Sequence, residues 1–125
     1  MYYLKVTSHF DAAHFLRNYQ GKCANIHGHT WQVKIVVKGT SLNNQGILID
    51  FSILKSLLNE TVTKFDHQLV NDLPEFSDKL NPTAENIAAF IYEDLVGKLP
   101  QNIGLDSVEV WESHKSSAVF RRESE

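Results

Sequence analysis

Cysteine, methionine and proline are scarce in this chain: one, one and three in 125 residues. A single cysteine, Cys23, cannot close an internal disulfide, which points to a reducing, cytoplasmic setting. With only six glycines there is no linker-like or low-complexity stretch, so a disordered or fibrous chain is excluded. Basic charge is not in excess either. Twelve Lys and Arg against fifteen Asp and Glu give −3, which argues against a partner bound through bulk charge, nucleic acid above all. No apolar run approaches a membrane span. The opening Met1-Tyr2-Tyr3-Leu4-Lys5 lacks the basic segment and apolar core of a signal peptide. What remains is a globular composition, 42% hydrophobic, of a length that predicts one domain over residues 1–125. Histidine, by contrast, is plentiful. There are six, and histidine is both the commonest metal ligand and the side chain that titrates near neutrality.

The pattern of apolar residues predicts the elements that carry these histidines. Residues 2–14 alternate, with Leu4, Val6, Phe10, Ala12 and His14 on one strand face. Residues 17–25 are polar and read as a loop. A second strand runs over 29–40, with Trp31, Val33, Ile35 and Val37 on one face, and His27-Gly28-His29 opens it. Asn43-Asn44-Gln45-Gly46 is a turn. Phe51, Leu54, Leu57, Leu58, Val62 and Phe65 then recur at helical spacing, with Asp50 or Ser52 as cap. A second helix follows Asn81 or Thr83, with Pro82 and Glu85 suited to its first turn and Ala88, Ile91 and Leu95 as its stripe. Residues 108–112 alternate again, and 118–121 form a short last strand. The order predicts an α+β fold, an antiparallel sheet with helices on one face.

Residues two apart on a strand point the same way, so His27 and His29 can face one point. His14 ends the strand that can pair beside them. Three imidazoles with an open fourth position form a catalytic zinc arrangement; a lone His-x-His is more often plain surface. Barrel sites that add a Glu three or four residues later do not fit, because Gln32 and Val33 stand there. His9 and His114 read as surface. Cys23, four residues before His27, is a loop thiol: a ligand, a base or nucleophile near a metal, or a small buried hydrophobe. Asp66 and His67 are adjacent, and adjacent side chains diverge in regular structure, so a helix-end pair is the favoured reading unless the loop turns both inward. Glu112 continues the apolar face of Val108 and Val110, which places it at an exposed strand end or in a pocket. Glu85 has a plain role as compensation of the helix dipole.

Phe10-Asp11-Ala12-Ala13-His14, Cys23-Ala24-Asn25-Ile26-His27-Gly28-His29, Asp50-Phe51, Asp66-His67, Asn81-Pro82-Thr83-Ala84-Glu85-Asn86 and Val108-Glu109-Val110-Trp111-Glu112-Ser113 occur in the order found in 6-pyruvoyltetrahydropterin synthase-like proteins. The chain resembles that family from first strand to last. Three residues between Cys23 and His27 resemble its 6-carboxytetrahydropterin-forming branch, which serves queuosine and other deazapurines. The resemblance implies the tunnelling (T-) fold: a four-stranded antiparallel sheet with two helices inserted between the hairpins. It implies a homohexamer, a dimer of trimers, with sites at subunit interfaces. It also implies a small-molecule substrate, 7,8-dihydroneopterin triphosphate, converted by a zinc-dependent lyase to 6-carboxy-5,6,7,8-tetrahydropterin, acetaldehyde and triphosphate. The alternatives are 6-pyruvoyl formation from the same substrate and, more remotely, a zinc-stabilised oligomeric domain without activity. On this resemblance His14, His27 and His29 hold Zn2+, Cys23 is the general base, and Asp66 and His67 are its relay. Glu112 anchors the pterin and is also counted with the catalytic relay, and Thr83 and Glu85 lie beside the pterin. No nucleotide cofactor is implied, and no glycine-rich dinucleotide loop is visible.

Overall fold

The computed structural model describes residues 1–123, so the last two residues of the expected 1–125 domain lie outside the described residues. Two long strands, β1 (Tyr2–His14) and β2 (His27–Gly39), pair antiparallel over their whole length. Helix α1 (Phe51–Val62), a two-residue strand β3 (Gln68–Leu69) and helix α2 (Ala84–Val96) follow. Strands β4 (Gly104–Ser113) and β5 (Ser116–Phe120) close the chain as a hairpin. The sheet order is β3-β1-β2-β4-β5, with β4 antiparallel to β2.

The expected strand faces hold. Val6, Phe10, Ala12 and His14 of β1 are buried, as are Trp31, Val33, Ile35 and Val37 of β2. Register sets Phe10 opposite Trp31, with the rings stacked 5.7 Å apart. Leu54 and Leu58 of α1, and Ile87, Ala88, Ile91 and Leu95 of α2, cover that face. Burying each of these large side chains stabilises the fold by roughly 1.5–3 kcal/mol. The other sheet face carries Lys5, Lys34 and Glu109, with Arg121 beside it.

Two expectations need correction. The sheet has five strands, not four: after α1 the chain returns along the outer edge of β1 and pairs parallel with Ala12 and Ala13 through β3. A two-residue strand is too short to leave an alternating pattern. The periodic run of α1 also overreaches. The helix ends at Val62, Phe65 is buried from the turn beyond it, and Phe51 is 54% exposed. Asp50 and Thr83 are the caps, accepting from the backbone N–H of Ser52 and Asn86.

Candidate metal centre and active site

The β1–β2 register places His14 opposite His27 and Ala12 opposite His29. All three imidazoles therefore rise from the helix-covered face, and His14 and His29 meet the Trp31 ring edge-to-face. Glu112 sits on the same face of β4, two residues beyond Val110. Its Oε1 lies 3.2 Å from His14 Nε2, 3.0 Å from His29 Nε2 and 3.9 Å from His27 Nε2. The pocket reading of this carboxylate is the right one.

The second nitrogens fix the chemistry of the first. His14 Nδ1 lies 2.7 Å from Pro82 O, and His27 Nδ1 lies 2.7 Å from Asn25 O. A carbonyl only accepts, so Nδ1 carries the proton in both rings and Nε2 presents a lone pair. His29 Nε2 is buried and, despite its 3.0 Å distance from Glu112, makes no hydrogen bond. Burial lowers the pKa of His14 from its ordinary value of 6.5; the Pro82 carbonyl opposes this, and the His27 charge reinforces it. Two such lone pairs, the unpartnered Nε2 of His29 and a carboxylate crowd one point, an arrangement that a cation among them would satisfy. The donor set thus fits a divalent metal ion, and His14, His27, His29 and Glu112 are the group that could hold it.

A second group, Asp11, Asp66 and His67, gathers at the outer edge of β1. His67 adopts a left-handed backbone, φ 57°, and its N–H donates to Asp11 O. That turn defeats the divergence expected of neighbours: His67 Nδ1 lies 2.9 Å from an Asp66 oxygen. The helix-end reading is therefore replaced by a paired side-chain reading. The other Asp66 oxygen accepts from the Asp11 N–H, at 3.0 Å. That bond first, and His67 second, hold the Asp66 carboxyl below the usual carboxylate range.

Cys23 stands in a short turn, Lys22–Ala24, half-buried, and belongs to neither group. Thr83 uses its hydroxyl oxygen as the α2 cap, and Glu85 is exposed in the first turn. Glu85, Glu112, Ser116 and Ser117 line a pocket of about 150 Å³. His9 and His114 are exposed, as expected. Sequence reasoning missed Asp11, whose carboxylate accepts from Thr30 Oγ1 at 2.6 Å, and the Pro82 carbonyl. A strand register would have found the first; no residue-type signal announces the second.

A profile of the family described as 6-pyruvoyl tetrahydropterin synthase matches residues 3–123. The chain belongs to this family. Within the 6-pyruvoyl tetrahydropterin synthase family, the 6-carboxy-5,6,7,8-tetrahydropterin synthase of Bacillus subtilis (strain 168) is 42% identical over 91 residues. That match covers 70% of this chain but only 60% of the B. subtilis protein. The protein of the same name from Synechocystis sp. is 37% identical over 117 residues, 89% of this chain and 86% of its own length. Among solved structures, Caenorhabditis elegans 6-pyruvoyl tetrahydropterin synthase superposes with a TM-score of 0.85 at 24% identity, over 98% of this chain and 96% of that one. The tunnelling fold expected from the sequence is thereby established, with β3 added to it.

Proposed function

We propose that this chain, as one pterin-synthase domain, is a lyase converting 7,8-dihydroneopterin triphosphate and one water to 6-carboxy-5,6,7,8-tetrahydropterin, acetaldehyde and triphosphate, in queuosine or related deazapurine biosynthesis in the cytoplasm. The observation that carries the reading is the convergence of His14, His27 and His29 Nε2 beside Glu112. The names of the better-covered relatives support the 6-carboxy product. The metal in this reading is zinc, which His14, His27 and His29 would hold and which would supply Lewis acidity toward the side-chain hydroxyls.

The chain's own residues do the rest. Glu112 borders the pocket that Glu85 also lines. Its carboxylate accepts in a fork from the 2-amino and ring N–H groups of a pterin. Cys23, as thiolate, takes the proton from the substrate side chain. Asp66 holds His67 by Nδ1, leaving Nε2 to exchange protons with the thiol and the product. No redox cofactor is needed, because the pterin ring itself accepts the electrons.

Incubation of purified protein with the triphosphate, followed by product analysis, tests this. Acetaldehyde with a 6-carboxy product is expected; a 6-pyruvoyl product without acetaldehyde would move the chain to the rival activity. In the same assay Cys23→Ala abolishes turnover with zinc retained, and His27→Ala or His29→Ala loses both. A Cys23→Ala protein with full turnover would refute the role given to Cys23.

A further inference from the structure

Residues 15–17 run on from β1 after its partner strands have ended, yet their backbone stays bonded on both edges. Phe15 N–H donates to Asn71 Oδ1, and Phe15 O accepts from Asn71 Nδ2, both at 3.0 Å. Two residues on, Arg17 N–H donates to Asn81 Oδ1 at 2.8 Å, and Arg17 O accepts from Asn81 Nδ2 at 3.0 Å. Each carboxamide thus offers the donor and acceptor pair that a neighbouring strand would supply. On the opposite edge, Leu16 N–H donates to Cys23 O at 2.8 Å. The alternation of 15 and 17 to one side and 16 to the other is that of an extended strand.

The asparagines are themselves anchored. Asn71 is 4% exposed, in the turn that follows β3. The backbone carbonyl of Asn81 accepts from Asn86 Nδ2 at 2.8 Å, in the first turn of α2. The next residue, Pro82, bonds His14 through its carbonyl. Four consecutive residues, 14 to 17, are therefore tied in turn to Pro82, Asn71, the Cys23 turn and Asn81. An apolar side chain at 71 or 81 leaves the backbone groups of Phe15 or Arg17 unpaired, and the Cys23 turn loses its fixed edge.

We infer that Asn71 and Asn81 are positioning residues for the reaction: as side-chain substitutes for a strand, they hold the Cys23 turn in a set relation to the metal-binding His14. The inference rests on Cys23 being the base. It is tested on the full-length, zinc-loaded protein with Asn71→Ala and Asn81→Ala. Two quantities are measured: steady-state kinetics, and the rate of iodoacetamide alkylation, which reports Cys23 alone because the chain has no other cysteine. The expected result is a kcat per zinc-loaded chain lower by roughly tenfold to a hundredfold, with KM and zinc content near wild type. Alkylation of Cys23 is expected to be several-fold faster. Folded, zinc-loaded variants with wild-type kcat and alkylation rate, whatever their Tm, would overturn the inference. If Asn71→Ala does not fold, Asn81→Ala, at a half-buried position, carries the same test. Should Cys23→Ala keep full turnover, the base assignment falls, while the alkylation rates still decide whether the asparagines hold the turn.

Discussion

Asp66 and His67 meet only because one residue, His67, turns left-handed while its N–H is held by the carbonyl of Asp11. The carboxyl of Asp66 has its pKa lowered by bonds that exist only in the fold. The unfolded chain therefore takes up its proton first as pH falls. The stabilisation from Asp66 is complete above the ordinary value of 3.8 and is lost as pH falls through and below it. Asp66→Asn should flatten that acid limb in urea titrations and, by freeing the His67 ring, lower kcat by about 10²-fold or more. His14 works in the same direction at higher pH. Its folded pKa is lowered, so its neutral form is the one the fold favours. Chelator-treated protein should lose stability as pH falls below about 6.5, and bound zinc should shift that loss to lower pH, measured by urea midpoints with and without metal. On the proposed function, Glu112→Gln should retain zinc and raise KM, because three imidazoles would still hold the ion while a fork onto the pterin would be weakened.

The two helices are joined by one carboxylate. Asp94 of α2 accepts from Thr61 Oγ1 of α1 at 2.6 Å and from Lys64 at 2.9 Å and Lys98 at 3.3 Å. Burial alone would raise its pKa, but the bonds from Thr61, Lys64 and Lys98 outweigh burial and lower it. Asp94→Ala strands the buried Thr61 hydroxyl and should cost roughly 2 kcal/mol in chemical denaturation, with turnover per folded chain unchanged. What the sequence made legible at this scale follows from periodicity. The β1 and β2 faces, the α2 stripe and the His14, His27 and His29 convergence all come from side chains repeating at the period of their element. What it hid are features without a period: the two-residue β3, the left-handed His67, and the backbone carbonyls of Pro82 and Asn25 that fix the imidazoles. Phe51 misled for a related reason. It sits in register with Leu54 and Leu58, but it is the first residue of its helix and stays largely open to solvent.

Across the whole molecule, the three clustered histidines rise on the helix-covered face of the sheet, whereas Asp11 and its neighbours gather on the outer edge of β1. Among the described residues, that edge has no partner along most of β1, and neither does the outer edge of β5. A site completed between subunits accommodates both facts. Mixing inactive Cys23→Ala and His67→Ala chains under conditions that exchange subunits should then restore up to about a quarter of wild-type activity, because random assembly pairs intact Cys23 with intact His67 at that fraction of heterologous interfaces. No recovery in mixed assemblies confirmed by native mass spectrometry would place the pair within one chain. The sheet has a kinetic consequence as well. β1 and β2 form a local hairpin, and so do β4 and β5, but the seam between β2 and β4 joins segments separated by residues 40–103. Closing so long a loop precedes any reward from the seam, so this pairing carries a larger loop-closure cost than either hairpin. Glu112 lies on the far side of that seam, so it comes beside the three histidines only once β2 and β4 have paired.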